Sequence, residues 1–329
     1  MPRVSVLLPA RDAAATLPAA LASLRRQTCT DWECVVVDDG STDGTAACAA
    51  GDARVVVLRT PARGLVAALA TGLAACRGEL VARFDADDLM RRDRIARQVA
   101  ALDADPGLAG VGAWVRFFPR RAMSDGLRAY EAWLNGIDGP AAVRAEAYVE
   151  CPLAHPTWML RRPVLAAFGW RACAWPEDWD LVLRLLAAGH RLGVVPRRLL
   201  AWRDHPARLT RTHPAYTPAA LTACRAHFLA TGFLAASPRY HLWGYGGTGR
   251  ALRAALAAHG RTPAAIVELH PGRLGQRIHG APVVAPPALA TLPRLPLVAS
   301  VAGPAARAEI RAFCIAQGWC EGTDFVCAA

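Results

Sequence analysis

Over the first hundred positions, short unbroken apolar runs alternate with stretches whose apolar residues recur every three or four places. The runs are VSVLLPA (4–10), WECVVVDDG (32–40), RVVVLRT (54–60) and ELVARFDADD (79–88). Each is short, rich in Val and Leu and bounded by turn residues, which predicts buried strands. Between them, 13–27 places Leu17, Leu21 and Leu24 on one helical face. Thr45–Ala50 begins a second helix after the turn-forming GSTDGT, and GLVAALATGLAAC (64–76) forms a third. Alternation of this kind, with strands apolar throughout, predicts a largely parallel sheet covered on both faces.

The pattern loosens over 105–175, where Trp, Pro and Arg interrupt it. It returns in PEDWDLVLRLLAAGH (176–190), which opens on proline and acids and closes near Gly189, as helix-end chemistry requires. RDHPARLTRTHPAYT (203–217) is basic and aperiodic. A helix follows near 218–232. The strand–turn–helix pattern then restarts in RYHLWGYGGTGRALRAALAAHG (239–260), with further strands in AAIVEL and LPLVASV. The expectation is two α/β units, one over residues 1–232 and a smaller one over 238–329.

A chain of 329 residues, 53% hydrophobic, is long enough for two cores. All 38 basic side chains are arginine, and the net charge is +11. In so Ala-rich a sequence part of the arginine excess is compositional, yet the charge favours anionic partners such as nucleotide phosphates or lipid headgroups. No recognisable nucleic-acid-binding motif accompanies it, so no nucleic-acid partner is expected. The ten cysteines contain no C-x-x-C pair, and a chain of this size needs no disulfide framework. The N-terminus lacks the form of a signal peptide, and no apolar run approaches the ~18 residues of a membrane span. A cytoplasmic protein is expected, at most held peripherally on an anionic membrane face.

Ligands of parallel α/β sheets bind beyond the carboxyl ends of the strands. Three polar clusters stand at such ends: Pro9-Ala10-Arg11-Asp12, Asp38-Asp39-Gly40-Ser41 and Asp85-Ala86-Asp87-Asp88. The last puts three mutually repelling carboxylates into four residues of a basic chain. A hard divalent cation, Mg²⁺ or Mn²⁺, relieves that repulsion and bridges to substrate phosphates. A capped helix start, with Asp87 or Asp88 as N-cap, is the alternative.

The ordered set VSVLLPARDAAATL, ECVVVDDGSTDGT, RGLVAALATGLAACRGELVARFDADD, HPTWMLRR and PEDWDLVLRL resembles the family 2 glycosyltransferases with the GT-A fold, over about residues 3 to 210. The resemblance implies a nucleotide-sugar donor held by Pro9, Ala10, Arg11, Asp12, Asp38, Asp39, Arg63, Gly64 and Asp85. Asp39 would face the base. It implies a metal on Asp87 and Asp85, with His205 as third ligand, and an inverting transfer whose base is Asp178, with Glu177 as neighbour and alternate. His155 also falls where such enzymes place histidine. Ala70 stands where the family commonly carries Asn, a departure that removes one polar contact near the donor. The acceptor implied is a glycan or lipid-linked hydroxyl, and the donor is expected to be UDP-linked.

Gly244, Gly246 and Gly249 match G-x-G-x-x-G between a predicted strand and helix, with Glu268 about 20 residues further on. This unit resembles the Rossmann-type nucleotide-binding part of sugar O-acyltransferases. The glycines serve either a second nucleotide site or helix packing alone. Two other functional readings compete with glycosyl transfer. One is a non-catalytic nucleotide-binding protein. The other is a nucleotidyltransferase, which wants a glycine-rich basic loop that LLPARDAAATL does not provide.

Overall fold

The computed structural model describes residues 1–329, the side chain of Ala122 excepted. The first compact unit comprises Met1–Val143, Pro152–Ala172 and Asp180–Arg211; the second comprises Arg144–Cys151, Cys173–Trp179 and Thr212–Ala329. Helix 218–228, expected with the first unit, belongs to the second.

The chain begins β1 (Val4–Ala10), α1 (Leu17–Arg25), β2 (Trp32–Asp39), α2 (Thr45–Cys48), β3 (Val55–Thr60), α3 (Leu65–Ala75) and β4 (Leu80–Arg83). It continues β5 (Leu89–Met90), α4 (Arg94–Ala104), β6 (Leu108–Phe118), α5 (Asp125–Leu134), α6 (Pro140–Glu146), β7 (Met159–Arg161), α7 (Arg162–Phe168), α8 (Glu177–Ala187) and β8 (Arg191–Arg203). These strands form one sheet in the order β3-β2-β1-β4-β7-β6-β8-β5. β3, β2, β1 and β4 are mutually parallel, β7 runs antiparallel between β4 and β6, and β6 pairs parallel with β8. β1 and β2 are buried at every position, as their uninterrupted apolar runs require. The predicted face of α1 is the buried one: Leu17, Leu21 and Leu24 are at most 1% exposed. Each such leucine contributes roughly 1.5–3 kcal/mol.

Two expectations change. ELVARFDADD is not one strand: β4 stops at Arg83, the acids occupy a turn, and β5 is only Leu89–Met90. The irregular middle holds the eleven-residue β6, paired along its length with the thirteen-residue β8. Gly110 and Gly112 blurred the apolar pattern of β6. In β8, Pro196 and two exposed arginines sit where the pairing shifts register between Val195 and Arg198. A proline and a bulge are tolerated in a strand at such an interruption.

The second unit contains α9 (Leu209–Thr212) in part, then α10 (Pro218–Phe228), β9 (Arg239–Trp243), α11 (Gly247–Ala258), β10 (Thr262–Val267), β11 (Arg277–Ile278), β12 (Ala281–Val284), β13 (Leu297–Ala299), α12 (Pro304–Ala316) and β14 (Phe325–Cys327). Its sheet runs β11-β12-β10-β9-β13-β14, parallel except for β11. The five parallel strands follow the 3-2-1-4-5 order of a doubly wound sheet, with the reversal between β9 and β13. Tyr240, Leu242, Leu252, Leu256 and Ile266 are fully buried at its centre.

Candidate active site

Register places the carboxyl ends of four strands on one edge. Ala10 of β1 lies beside Asp38 of β2, Asp39 beside Thr60 of β3, and Leu7 beside Arg83 of β4. The expected donor residues and the acidic cluster are thereby collected on one edge of the first unit.

Asp85, Asp87 and Asp88 each present a carboxylate oxygen within 4.8 Å of the others. Their partners come from distant chain. Arg83, almost wholly buried, forms an ion pair with Asp85. The backbone N–H of Arg203 donates to Oδ1 of Asp88 at 2.7 Å, and its guanidinium donates to the carbonyl of Asp87 at 2.7 Å. His205 Nε2 lies 3.1 Å from Asp87 Oδ2. Arg94 is completely buried and donates to the carbonyl of Arg83 at 2.7 Å. Burial brings its guanidinium down to about 9, which leaves it charged at neutral pH. The repulsion in DADD is thus met from below by Arg83 and Arg94 and from the side by the end of β8.

Burial, reinforced by the charge of Asp85, raises the carboxyl of Asp87, with His205 opposing the rise. Asp88 is pushed well above the usual range by complete burial and by its two acidic neighbours. Its Oδ2 is buried with no hydrogen-bond partner among the described residues. A crowded oxygen set with one orphaned buried carboxylate oxygen fits a divalent cation.

The β1–β3 side of the edge is tightly braced. Asp39 accepts from the backbone N–H groups of Arg63 and Gly64, both at 2.8 Å. Gly40 makes the close approach to this loop feasible, because a Cβ there would sit 2.6 Å from the Ala62 nitrogen. Asp38 accepts from Ser41 N–H. Asp12, at φ +47°, accepts from both the N–H and the hydroxyl of Thr42. Arg11 is exposed beside it.

Glu177 and Asp178 stand at the start of α8, in the segment that belongs to the second unit. Glu177 is buried and accepts from the Tyr216 hydroxyl at 3.1 Å. Asp178 is half-buried and accepts from the N–H of Trp179. Asp180, in the same motif, is fully buried in the first unit between Arg171 and Arg184. His155 is buried, with its Nε2 accepting from the Trp170 indole at 3.0 Å. Burial, with Arg83 nearby, holds it well below the ordinary histidine range.

In the second unit, the glycine turn links β9 to α11. Gly244 has φ +92°, and a Cβ on Gly249 would lie 2.1 Å from the Gly244 carbonyl oxygen. Those two positions serve the turn and helix packing, whereas Gly246 faces open space. Glu268 accepts from the N–H groups of Tyr245, Leu269 and His270 and pairs with Arg273 at 2.8 Å. Burial would raise its carboxyl, but the bonds from Leu269 and Arg273 outweigh this and hold it low.

The sequence pattern of glycosyl transferase family 2 matches residues 5–169, half of the chain. The chain belongs to glycosyl transferase family 2. The family-2 region includes all three polar clusters. The chain is 38% identical over 106 residues to a PGL/p-HBAD biosynthesis glycosyltransferase of Mycobacterium tuberculosis, covering 30% of this chain and 41% of that protein. The chain therefore spans about two fifths of that relative's length. The fold is shared with TarS 1–349 of S. aureus in complex with UDP-GlcNAc, at TM-score 0.56 and 17% identity over 78% of this chain and 72% of that one. It is also shared with the mannosyltransferase PcManGT of Pyrobaculum calidifontis in complex with GDP-Man and Mn²⁺, at TM-score 0.51 and 23% identity over 79% and 69%. The first unit of this family-2 chain thus has the GT-A architecture. No helix among the described residues is long and apolar enough to cross a membrane.

Arg83, Arg94 and Arg203 are the site residues that sequence reasoning missed, and Asp88, counted there within the acidic cluster, was given no role of its own. An arginine inside the apolar strand VARF was the available signal, since a buried guanidinium requires a buried anion.

Proposed function

We propose that the chain is an inverting, metal-dependent glycosyltransferase that moves a sugar from a nucleoside diphosphate sugar, UDP-linked, to an acceptor hydroxyl. The observation that carries this reading is the convergence of Asp85, Asp87 and Asp88 within 4.8 Å, with His205 against Asp87, at the carboxyl edge of the sheet. Asp85, Asp87 and His205 would hold Mg²⁺ or Mn²⁺, with Asp88 behind them. When bound, the cation supplies Lewis-acid stabilisation to the departing diphosphate. Pro9, Ala10, Arg11, Asp12, Asp38, Asp39, Arg63 and Gly64 line the nucleoside side. Asp178 serves as the base that takes the acceptor proton, with Glu177 beside it at the start of α8 as the alternate.

The nucleotide-sugar complexes of TarS and PcManGT support a donor of this class. The mycobacterial relative acts in PGL/p-HBAD biosynthesis, which supports a glycan or lipid-linked acceptor. The net charge of +11 supports working from the cytoplasm against an anionic membrane face. For the second unit we propose a phosphate-bearing ligand over Gly246, at a turn shaped by Gly244 and Gly249 and closed by Glu268.

Calorimetric titration of UDP, GDP and CDP into the whole chain, with Mn²⁺ or with EDTA, tests the main reading. Binding of one nucleoside diphosphate that is lost in EDTA and in Asp87→Ala supports it. Binding indifferent to both would move the nucleotide away from DADD.

A further inference from the structure

Two residues that sequence analysis passed over, Asp43 and Thr45, join the loops after β1 and β2 into one body. The Asp43 carboxylate has two arms. Oδ2 accepts from the backbone N–H of Ala14 at 3.0 Å, while Oδ1 accepts from the N–H of Thr45 at 2.9 Å and from its hydroxyl. The Thr45 oxygen in turn accepts from the N–H of Ala13 at 2.7 Å, and Thr45 is fully buried. Two more bonds run alongside: Asp12 N–H to the Ser41 hydroxyl at 2.9 Å, and Thr42 N–H to Asp12 Oδ1 at 2.8 Å. Every tie crosses about thirty residues of sequence except those inside the Asp43–Thr45 turn.

The belt is built on strained backbone. Asp12 takes φ +47°, a left-handed conformation that non-glycine residues hold only when their surroundings enforce it. Its N–H and its carboxylate are both spent on Ser41 and Thr42, and the next two N–H groups are spent on Thr45 and Asp43. Three consecutive backbone donors of the first loop thus end on side chains of the second. Beyond the last sheet pair Ala10–Asp38, these side chains are the main hydrogen-bonded link between the two loops, joined by a long contact from the Cys48 thiol to the Ala14 carbonyl.

We infer that Asp43 and Thr45 are positioning residues, which preassemble the lip that receives the nucleoside without touching it. The inference rests on the reading that this edge binds a nucleoside diphosphate. A lip already ordered before the ligand arrives loses little freedom on binding, so its affinity depends on the belt. Asn at 43 keeps one acceptor for Thr45 but turns an amide N–H₂ toward Ala14 N–H, breaking one arm. Val at 45 leaves Ala13 N–H without its acceptor.

The test uses the full chain with UDP and saturating Mn²⁺, at a temperature where each variant is folded by circular dichroism. Asp43→Asn and Thr45→Val should each weaken UDP binding about tenfold or more, the effect of losing a hydrogen bond to a charged or buried partner. Thr45→Ser, which restores the hydroxyl, should recover most of that loss. Donor KM should rise more than kcat falls. Variants that melt at lower temperature yet bind UDP with unchanged affinity would reduce the belt to a stabilising contact and overturn the inference. Failure of the wild-type chain to bind any nucleoside diphosphate would instead overturn the underlying reading of the site.

Discussion

Nε2 of His205 lies 3.1 Å from Oδ2 of Asp87, across 118 residues of chain. The contact exists because β8 extends along β6 to Arg203 and delivers the following residues to the acidic turn after β4. It brings an imidazole nitrogen against a three-carboxylate cluster whose oxygens are of the type that suits Mg²⁺ or Mn²⁺. Asp87→Ala should abolish metal-dependent UDP binding. His205→Ala should weaken the apparent Mn²⁺ affinity by at least about 10–100-fold, the range already seen when only a group supporting a metal ligand is lost. Calorimetry with Mn²⁺ at fixed UDP measures both, and equal Mn²⁺ affinity in the two variants and wild type would remove His205 and Asp87 from the metal.

Asp178→Asn should retain UDP binding and lose transfer by about 10²–10⁴-fold, the usual contribution of a general base. Glu177→Gln should be milder, because the amide oxygen still accepts from Tyr216. Initial rates against donor concentration separate the two. The opposite ranking would make Glu177 the base.

Gly249→Ala should destabilise the second unit by about 1–3 kcal/mol or more, since its methyl would press on the Gly244 carbonyl. Gly246→Ala meets nothing within 4 Å and, as a change at the N-cap of α11, should cost only about 1 kcal/mol or less. A ligand held at this turn would then show itself as a binding defect in Gly246→Ala larger than its small change in stability.

Protonation of His155 should set an acid limit on folding. Burial holds its folded pKa well below the ordinary value, so below about pH 6.5 the unfolded chain binds a proton that the folded chain refuses. Stability is therefore retained above pH 6.5 and falls as the pH drops below it. Urea midpoints between pH 7.5 and 5 should decline in the wild type and decline less in His155→Gln.

Asp180→Asn should cost about 1–3 kcal/mol, because the mostly buried Arg184 loses its anion but keeps the Phe168 and Gly169 carbonyls, while the half-exposed Arg171 turns to water. Urea unfolding measures the loss. A stability within about 0.5 kcal/mol of wild type would show that the two arginines find other partners.

The division between sequence and structure follows the range of the forces involved. The sequence by itself determined β1, β2, β3 and the helices between them. Their apolar residues stand in unbroken runs or recur every three or four places, and both patterns are local, although β3 at the sheet edge is only half-buried. It also placed Asp12, Asp38, Asp39 and Asp85–Asp88 on one edge, since parallel strands must end on the same side. It did not reveal β6 and β8, because Gly110, Gly112 and Pro196 broke the apolar pattern while a pairing over eighty residues away held the strands. Nor could it assign the positive partners of DADD among 38 arginines. Which of them lie within hydrogen-bonding distance depends on the sheet order β1-β4-β7-β6-β8, not on spacing along the chain. The same holds for Asp88. One residue along a turn separates a half-exposed carboxylate from one buried with an orphaned oxygen, and only packing against Arg203 decides which is which.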